Sequence, residues 1–383
     1  MYKTFYCIDF IFSVFCFKHM FSAVTSRLVF CFEVYELSCD SFYEFLFKIM
    51  DELVVLELFS GIGGMHYALK ESQVPGQVLA AIDINTNANE VYRHNFKDSK
   101  CINGNIVGLE SAPYQKVNTI LCSPSCQPFT RNGKQKDIED KRNDAFMSLC
   151  SLIKSGSFKN LKYLLMENVV GFETSQMHDI FIDALRSSGF YHREFNISPH
   201  QLNIPNTRHR YYCLARKEHD FLFDSECIHK KIPNNDHFPQ KPQALSNYVN
   251  ADDSEDLITS YLSKELLEKR FNILDIQTND SYNTMCFTKS YSNYIEGTGS
   301  VYCNLTRQEL DDKIAEIEKN EMDLRMKEKL KLRFFTPTEV ARLMRFPKDF
   351  TFPTIISRKS QYKLLGNSIN VTVVSELIKV LCS

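Results

Sequence analysis

The sequence predicts an α/β fold: an open, mainly parallel sheet with helices on both faces, joined to a smaller second region. Three observations predict it. The apolar run Leu53–Phe59 breaks into a glycine-rich turn and resumes as a helical pattern. A second apolar run ends in Asp83, about 20 residues beyond those glycines. Strand and helix patterns then alternate as far as Arg216, after which the composition turns polar and irregular.

Each element has its own reason. Leu53–Phe59 is continuously apolar except for Glu57, as a strand buried on both faces should be. Gly61, Ile62, Gly63 and Gly64 follow, where residues without Cβ let the backbone approach a ligand beside unpaired helix N–H groups. The pattern is neither Gly-x-Gly-x-x-Gly nor a phosphate loop closed by Lys-Ser/Thr. Val78–Ile82 is the second strand, and Asp83 at its end is placed to accept from both hydroxyls of a ribose. Ile84 would cover an adenine face. A helix is expected over 85–96, then a short third strand before Asn105 and Ile106, which are expected at the adenine edge. Val117–Leu121 is a fourth strand, 144–154 a helix, and Tyr163–Met166 a strand running directly into Glu167. Tyr211–Ala215 is another, preceded by Arg208 and Arg210, which alternate on an extended segment and so point the same way. Two guanidiniums on one face suit carboxylate or phosphate.

The remaining chain divides into three stretches. Residues 1–50 hold 11 of the 30 phenylalanines with no clean period, and read as a leader, non-native or disordered, with Met50 the functional start. From Lys217 the chain reads as a second region extending to 333. Within it, Lys289, Tyr291 and Tyr294 lie in an aromatic, hydroxyl-rich loop suited to stacking on an unpaired base. A charged helical stretch over 305–331 opens with the capping box Thr306-x-x-Glu309, and Thr336-Pro337-x-Glu339 opens another helix. Residues 334–383 return to the sheet domain of 51–216, and Gly366-Asn367-Ser368-Ile369-Asn370-Val371 is expected to open a C-terminal helix through its glycine and two amides.

Composition narrows the function. A net charge of -2 gives no support to bulk polyanion affinity, so a nucleic-acid site must come from a local basic cluster. The loop Arg131–Arg142 offers one, with a surplus of two positive charges. Thirteen cysteines without regular spacing argue for a reducing compartment, the cytoplasm with the nucleus as a second location, and no structural metal is expected. The run Phe10–Phe17 is shorter than the roughly 20 residues of a membrane span, so no membrane partner is expected, and no obligate protein partner is evident.

One stretch organises the rest: Leu121-Cys-Ser-Pro-Ser-Cys-Gln-Pro-Phe-Thr-Arg131. Pro124 and Pro128 forbid a strand or helix through the turn, so Cys126 is presented at a strand's carboxyl end. Together with the glycine turn, Asp83, Glu167-Asn-Val169, Arg208-His-Arg210 and Gly366-Asn-Ser368, in this order, it resembles the cytosine-C5 methyltransferases from about Leu53 to Leu381. Cys286-Phe-Thr-Lys and Tyr294-Ile-Glu-Gly-Thr-Gly-Ser300 are similar to the branch that methylates cytosine 38 in the anticodon loop of aspartate tRNA.

The resemblance implies a Rossmann-like methyltransferase sheet with a small target-recognition domain, and S-adenosylmethionine as cofactor. It implies Cys126 as the nucleophile that adds to cytosine C6, Glu167 as the group at N3 and the exocyclic amine, and Arg210 and Arg208 as their supports. Phe59, Gly61, Ile62, Gly63, Gly64, Asp83, Ile84, Asn105, Ile106, Ser123, Asn367 and Ser368 would contact the cofactor. Gln127, Arg131, Lys289, Tyr291 and Tyr294 would contact RNA, with DNA the second candidate substrate. One residue departs from the pattern: Ser125 stands where the family has a second proline, which removes a φ constraint beside the nucleophile.

Overall fold

Alternation along β1 (Leu53–Leu58) sets how the sheet is covered. Leu53 and Val55 join one buried cluster while Leu56 and Leu58 join another, so this strand is packed on both faces. The protein is described from a computed structural model, over residues 52–125, 143–224, 227–233, 238–239, 241–250 and 255–383. After β1 come α1 (Gly64–Ser72), β2 (Gly76–Asp83), α2 (Thr86–Asn95), β3 (Cys101–Asn103) and β4 (Thr119–Cys122). Next are α3 (Asp144–Lys154), β5 (Tyr163–Val169), α4 (Gln176–Ser187), β6 (Tyr191–Ile197) and β7 (Arg210–Arg216).

These strands form one sheet in the order β3-β2-β1-β4-β5-β7-β6, parallel except for β7, which pairs antiparallel with both β5 and β6. The chain leaves β1 toward β2 on one side, and β4 lies on the other. The strand order therefore reverses between β1 and β4, and a crevice opens at their carboxyl ends. Helix α4, which the sequence reading did not anticipate, belongs with α3 to the cluster beneath one face.

The second region holds α5 (Glu255–Ile258), α6 (Lys264–Arg270), β8 (Ile276–Gln277), β9 (Val301–Tyr302), α7 (Arg307–Lys319), α8 (Leu324–Lys329) and β10 (Arg333–Phe334). Its small core gathers Leu262, Leu267, Phe271, Val301, Leu310 and Leu332. The stretch expected to open this region packs elsewhere: Phe221, Ile232, Leu245 and Tyr248 belong to the main core. The expected single helix over 305–331 is two helices, broken where Glu321 and Met322 take positive φ. Both capping boxes form as the sequence indicates.

The chain closes with α9 (Pro337–Leu343), α10 (Arg358–Gly366) and α11 (Val371–Cys382). Gly366 ends α10 instead of opening the last helix, and Asn370 caps α11 by accepting from Val373 N–H. By length and composition Arg358–Cys382 is apolar enough to cross a membrane, but it is mostly buried within the fold and is interrupted between the two helices. The residues 53–383 form one compact unit.

Candidate active site

A cavity at the β1/β4 crevice collects residues from six parts of the chain. Gly61, Ile62 and Gly64 of the glycine turn, Asp83 and Ile84, Ser123 to Ser125, Glu167, Arg208 with Arg210, and Leu364 with Gly366 to Ile369 all border it. Phe59 leaves β1 with φ 55°, a sparsely populated conformation for a bulky residue, and this redirects the chain into the turn. Asp83 accepts from Gly61 N–H on one oxygen and Asn85 N–H on the other, both at 2.8 Å. Burial raises its pKa and those backbone donors oppose the rise. Ile84 is 67% exposed at the mouth, an apolar side chain with one face open.

The sequence reading missed Glu57. Alternation puts it on the α1 face of the sheet, where it is fully buried yet borders the cavity. Its Oε2 accepts from Tyr92 Oη at 2.8 Å, and Tyr92 Oη is 2.8 Å from His66 Nδ1. Tyr92 Oη thus lies between the Glu57 carboxyl and His66 Nδ1. Burial pushes Glu57 up to about 8, against the Tyr92 hydrogen bond, while burial and the nearby Lys70 charge push His66 down to about 3. Backbone N–H groups of His66 and Met65 also favour the ionised Glu57 carboxyl, and among the described residues Ser60 Oγ on the same wall has no hydrogen-bond partner. The signal was present in the sequence as one carboxylate inside an apolar strand, directly before the turn.

On the opposite wall Glu167, at the end of β5, is buried. Its Oε1 lies 3.3 Å from Arg210 Nε, and its Oε2 accepts from Ser123 Oγ at 2.6 Å. Arg208 and Arg210 do point the same way: Nη1 of Arg208 is 3.4 Å, and Nη2 of Arg210 4.0 Å, from Cys286 Sγ. Burial pushes the Cys286 thiol up, but the two guanidinium charges outweigh it and the net shift is downward. Arg208 itself is buried and donates to the carbonyls of Phe287, Gly366 and Ser368. It is a clamp between the second region and the C-terminal segment, and it borders the cavity beside Arg210 and Glu167. A methyl group on Gly366 would sit 2.2 Å from Lys289 N, so the two segments touch backbone to backbone.

Not every expected site residue borders this cavity. Gly63 does not border the cavity; it takes φ 84° at the start of α1, and a Cβ there would meet Phe96 at 2.3 Å. Asn105 and Ile106 do not border it either, since the Asn105 side chain caps a short turn through Val107 N–H and Ile106 is core. Ser123 gives its hydroxyl to Glu167. Tyr291 is buried, donating to Ser300 O at 2.6 Å and accepting from Phe335 N–H at 2.9 Å, so no base can stack on it. Lys289 is exposed, as is Tyr294, on the surface of that loop. Cys126, Gln127 and Arg131 lie outside the described residues.

A sheet with this strand order and a cavity at its switch point, joining a ribose-type acid to a buried carboxylate and arginine pair, defines a group-transfer enzyme using a nucleoside cofactor. Comparison with known proteins makes the class specific. The sequence pattern of the family described as C-5 cytosine-specific DNA methylase matches residues 53–383, and the chain belongs to that family. A tRNA (cytosine(38)-C(5))-methyltransferase of Spodoptera frugiperda is 41% identical over 336 residues, covering 85% of this chain and 98% of that protein. A DNA (cytosine-5)-methyltransferase of Dictyostelium discoideum is 36% identical over 372 residues, covering 87% of this chain and 95% of that protein. The crystal structure of a Spodoptera frugiperda DNMT2 mutant superposes with a TM-score of 0.78 at 40% identity, covering 87% of this chain and all of that one.

The methyl donor of this family is S-adenosylmethionine. The residues present fit it: the Glu57 carboxyl and Ser60 Oγ, the latter without a hydrogen-bond partner among the described residues, border the cavity and suit a ligand that is cationic and polar at one end. Asp83 and Ile84 suit its nucleoside end.

Proposed function

We propose that this chain methylates C5 of cytosine in RNA, at position 38 in the anticodon loop of tRNA, with aspartate tRNA as the substrate. One observation carries the reading: the glycine turn and Asp83 share a single cavity with Glu167 and Arg210, so donor and base sites adjoin.

Cytosine C5 is a weak nucleophile, and a thiolate adding to C6 activates it. Cys126, three residues beyond Ser123, is the thiol the sequence offers for that step. Glu167 would hold the base at N3 and its exocyclic amine, and offset charge on the ring as the thiolate adds. Arg210 fixes the Glu167 carboxyl from the side opposite Ser123. When bound, S-adenosylmethionine supplies the methyl group. Phe59, Gly61, Ile62, Gly64, Asp83, Ile84, Asn367 and Ser368 would hold it, with Glu57 and Ser60 at its polar end.

The target base must leave its stack to enter this cavity, which an anticodon loop permits more cheaply than a duplex. A net charge of -2 also suits a compact loop better than long duplex DNA. The second region, with Lys289 and Tyr294 exposed on its 286–300 loop, would meet the RNA. The described cysteines are all free thiols, in keeping with the cytoplasm and nucleus. DNA is the second reading, favoured by the Dictyostelium relative's name. Transfer of labelled methyl groups to tRNA and to duplex DNA separates them: incorporation into tRNA at position 38 is expected, and preferential incorporation into DNA would reverse the assignment.

A further inference from the structure

The Glu167 carboxyl is held on both sides, and the two holders differ in kind. Arg210 Nε faces Oε1 at 3.3 Å as a permanent cation that can only donate. Ser123 Oγ sits 2.6 Å from Oε2 as a neutral hydroxyl. A hydroxyl donates to a carboxylate and equally accepts from a carboxylic acid, so this contact survives a proton arriving on Oε2. The Ser123 backbone is anchored as well, its N–H donating to Leu58 O at 3.3 Å, which ties it to the β1/β4 switch point. Pro124 follows directly and biases Ser123 toward extended backbone.

We propose that Ser123 is a positioning residue for the Glu167 carboxyl, not a cofactor ligand. It fixes the rotation of the carboxyl group by a bond tolerant of either protonation state, while Arg210 fixes its location. The residue lies three positions before Cys126 in the sequence. This rests on the reading of Glu167 as the group that faces the base.

Three variants of the full chain, Ser123→Ala, Ser123→Thr and Glu167→Gln, test it by single-turnover methylation of tRNA, with calorimetry of S-adenosylhomocysteine binding and a thermal melt for each. Ser123→Ala should lose roughly 10- to 100-fold in the single-turnover rate, the range for one hydrogen bond to a charged group. Its affinities for S-adenosylhomocysteine and tRNA should stay within about twofold, well under the tenfold that 1.4 kcal/mol represents. Ser123→Thr keeps the hydroxyl and should restore most of the rate. The proposal is overturned if Ser123→Ala keeps the wild-type rate, if threonine fails to rescue a folded variant, or if the loss lies in cofactor affinity and vanishes at saturating donor. Glu167→Gln at full rate would instead remove the underlying reading of Glu167, whatever Ser123 does.

Discussion

The two walls of the cavity are built in opposite ways. The wall of β1, the glycine turn, β2 and Ile84 comes from one continuous stretch, with Gly61 bonded to Asp83 only 22 residues away. The facing wall is assembled through Arg208, which reaches Cys286 at 78 residues and Gly366 at 158 residues along the chain. The first is a local property of strand, turn and helix; the second exists only because one buried guanidinium gathers carbonyls from two distant segments. Donor binding should therefore depend on the local wall, and base handling on the gathered one.

Breaking the gathered wall should have the largest effect. Arg208→Ala leaves the Phe287, Gly366 and Ser368 carbonyls without their shared donor and should cost at least about 3 kcal/mol in urea unfolding. Arg208→Lys should not rescue it, because an ammonium cannot reproduce the planar fork. Gly366→Ala should be comparably damaging, since its Cβ would meet backbone atoms of Thr288 and Lys289 at 2.3 and 2.2 Å. Gly61→Ala on the local wall meets nothing within 4 Å and pays only for its positive φ, about 1 kcal/mol.

Glu57 sharpens the comparison through pH. Its carboxyl has an ordinary value of 4.5 and is raised to about 8 by burial, so the folded chain keeps a proton that the unfolded chain releases. Its contribution to stability is full below 4.5, declines as pH rises toward 8 by up to about 1.4 kcal/mol per pH unit, and levels off above. Glu57→Gln should flatten that slope in urea melts across this window. A cation beside Glu57 favours its ionised form, so S-adenosylmethionine binding at about pH 6.5 should release a proton in the wild type and none from this site in Glu57→Gln. Calorimetry in two buffers of different ionisation enthalpy reads the difference.

How much of this was legible follows the same division. The strand, glycine turn and acid could be read directly, because each is a short-range pattern with a conformational cause. Glu57 could have been found as the single charge in an apolar strand. The role of Arg208 could not, since no local pattern says that a guanidinium will be buried against residues 286 and 366. Tyr291 and Tyr294 make the point within one loop: both read as base-stacking candidates, and only tertiary packing decides that one is core and the other exposed.

The smaller effects follow from that contrast. Tyr294→Ala should weaken tRNA binding by about 1 kcal/mol in a filter assay at fixed salt, with unfolding unchanged. Tyr291→Phe should cost about 2 kcal/mol of stability, because it removes the bond to Ser300 O and leaves the Phe335 N–H without its acceptor, at unchanged tRNA affinity. Smallest is Ser125→Pro, which restores the φ constraint beside Cys126 and should raise the single-turnover rate a few-fold; an unchanged rate would show that the departure is neutral.

Covalent trapping on RNA containing 5-azacytidine at position 38 of tRNA reads the central claim, that a thiol and the Glu167 carboxyl meet across one pyrimidine beside the methyl donor. The wild type with S-adenosylmethionine should give a protein–RNA adduct stable to denaturing electrophoresis, and Cys126→Ala none. An adduct that persists in Cys126→Ala, or no adduct from active wild type, would contradict the account.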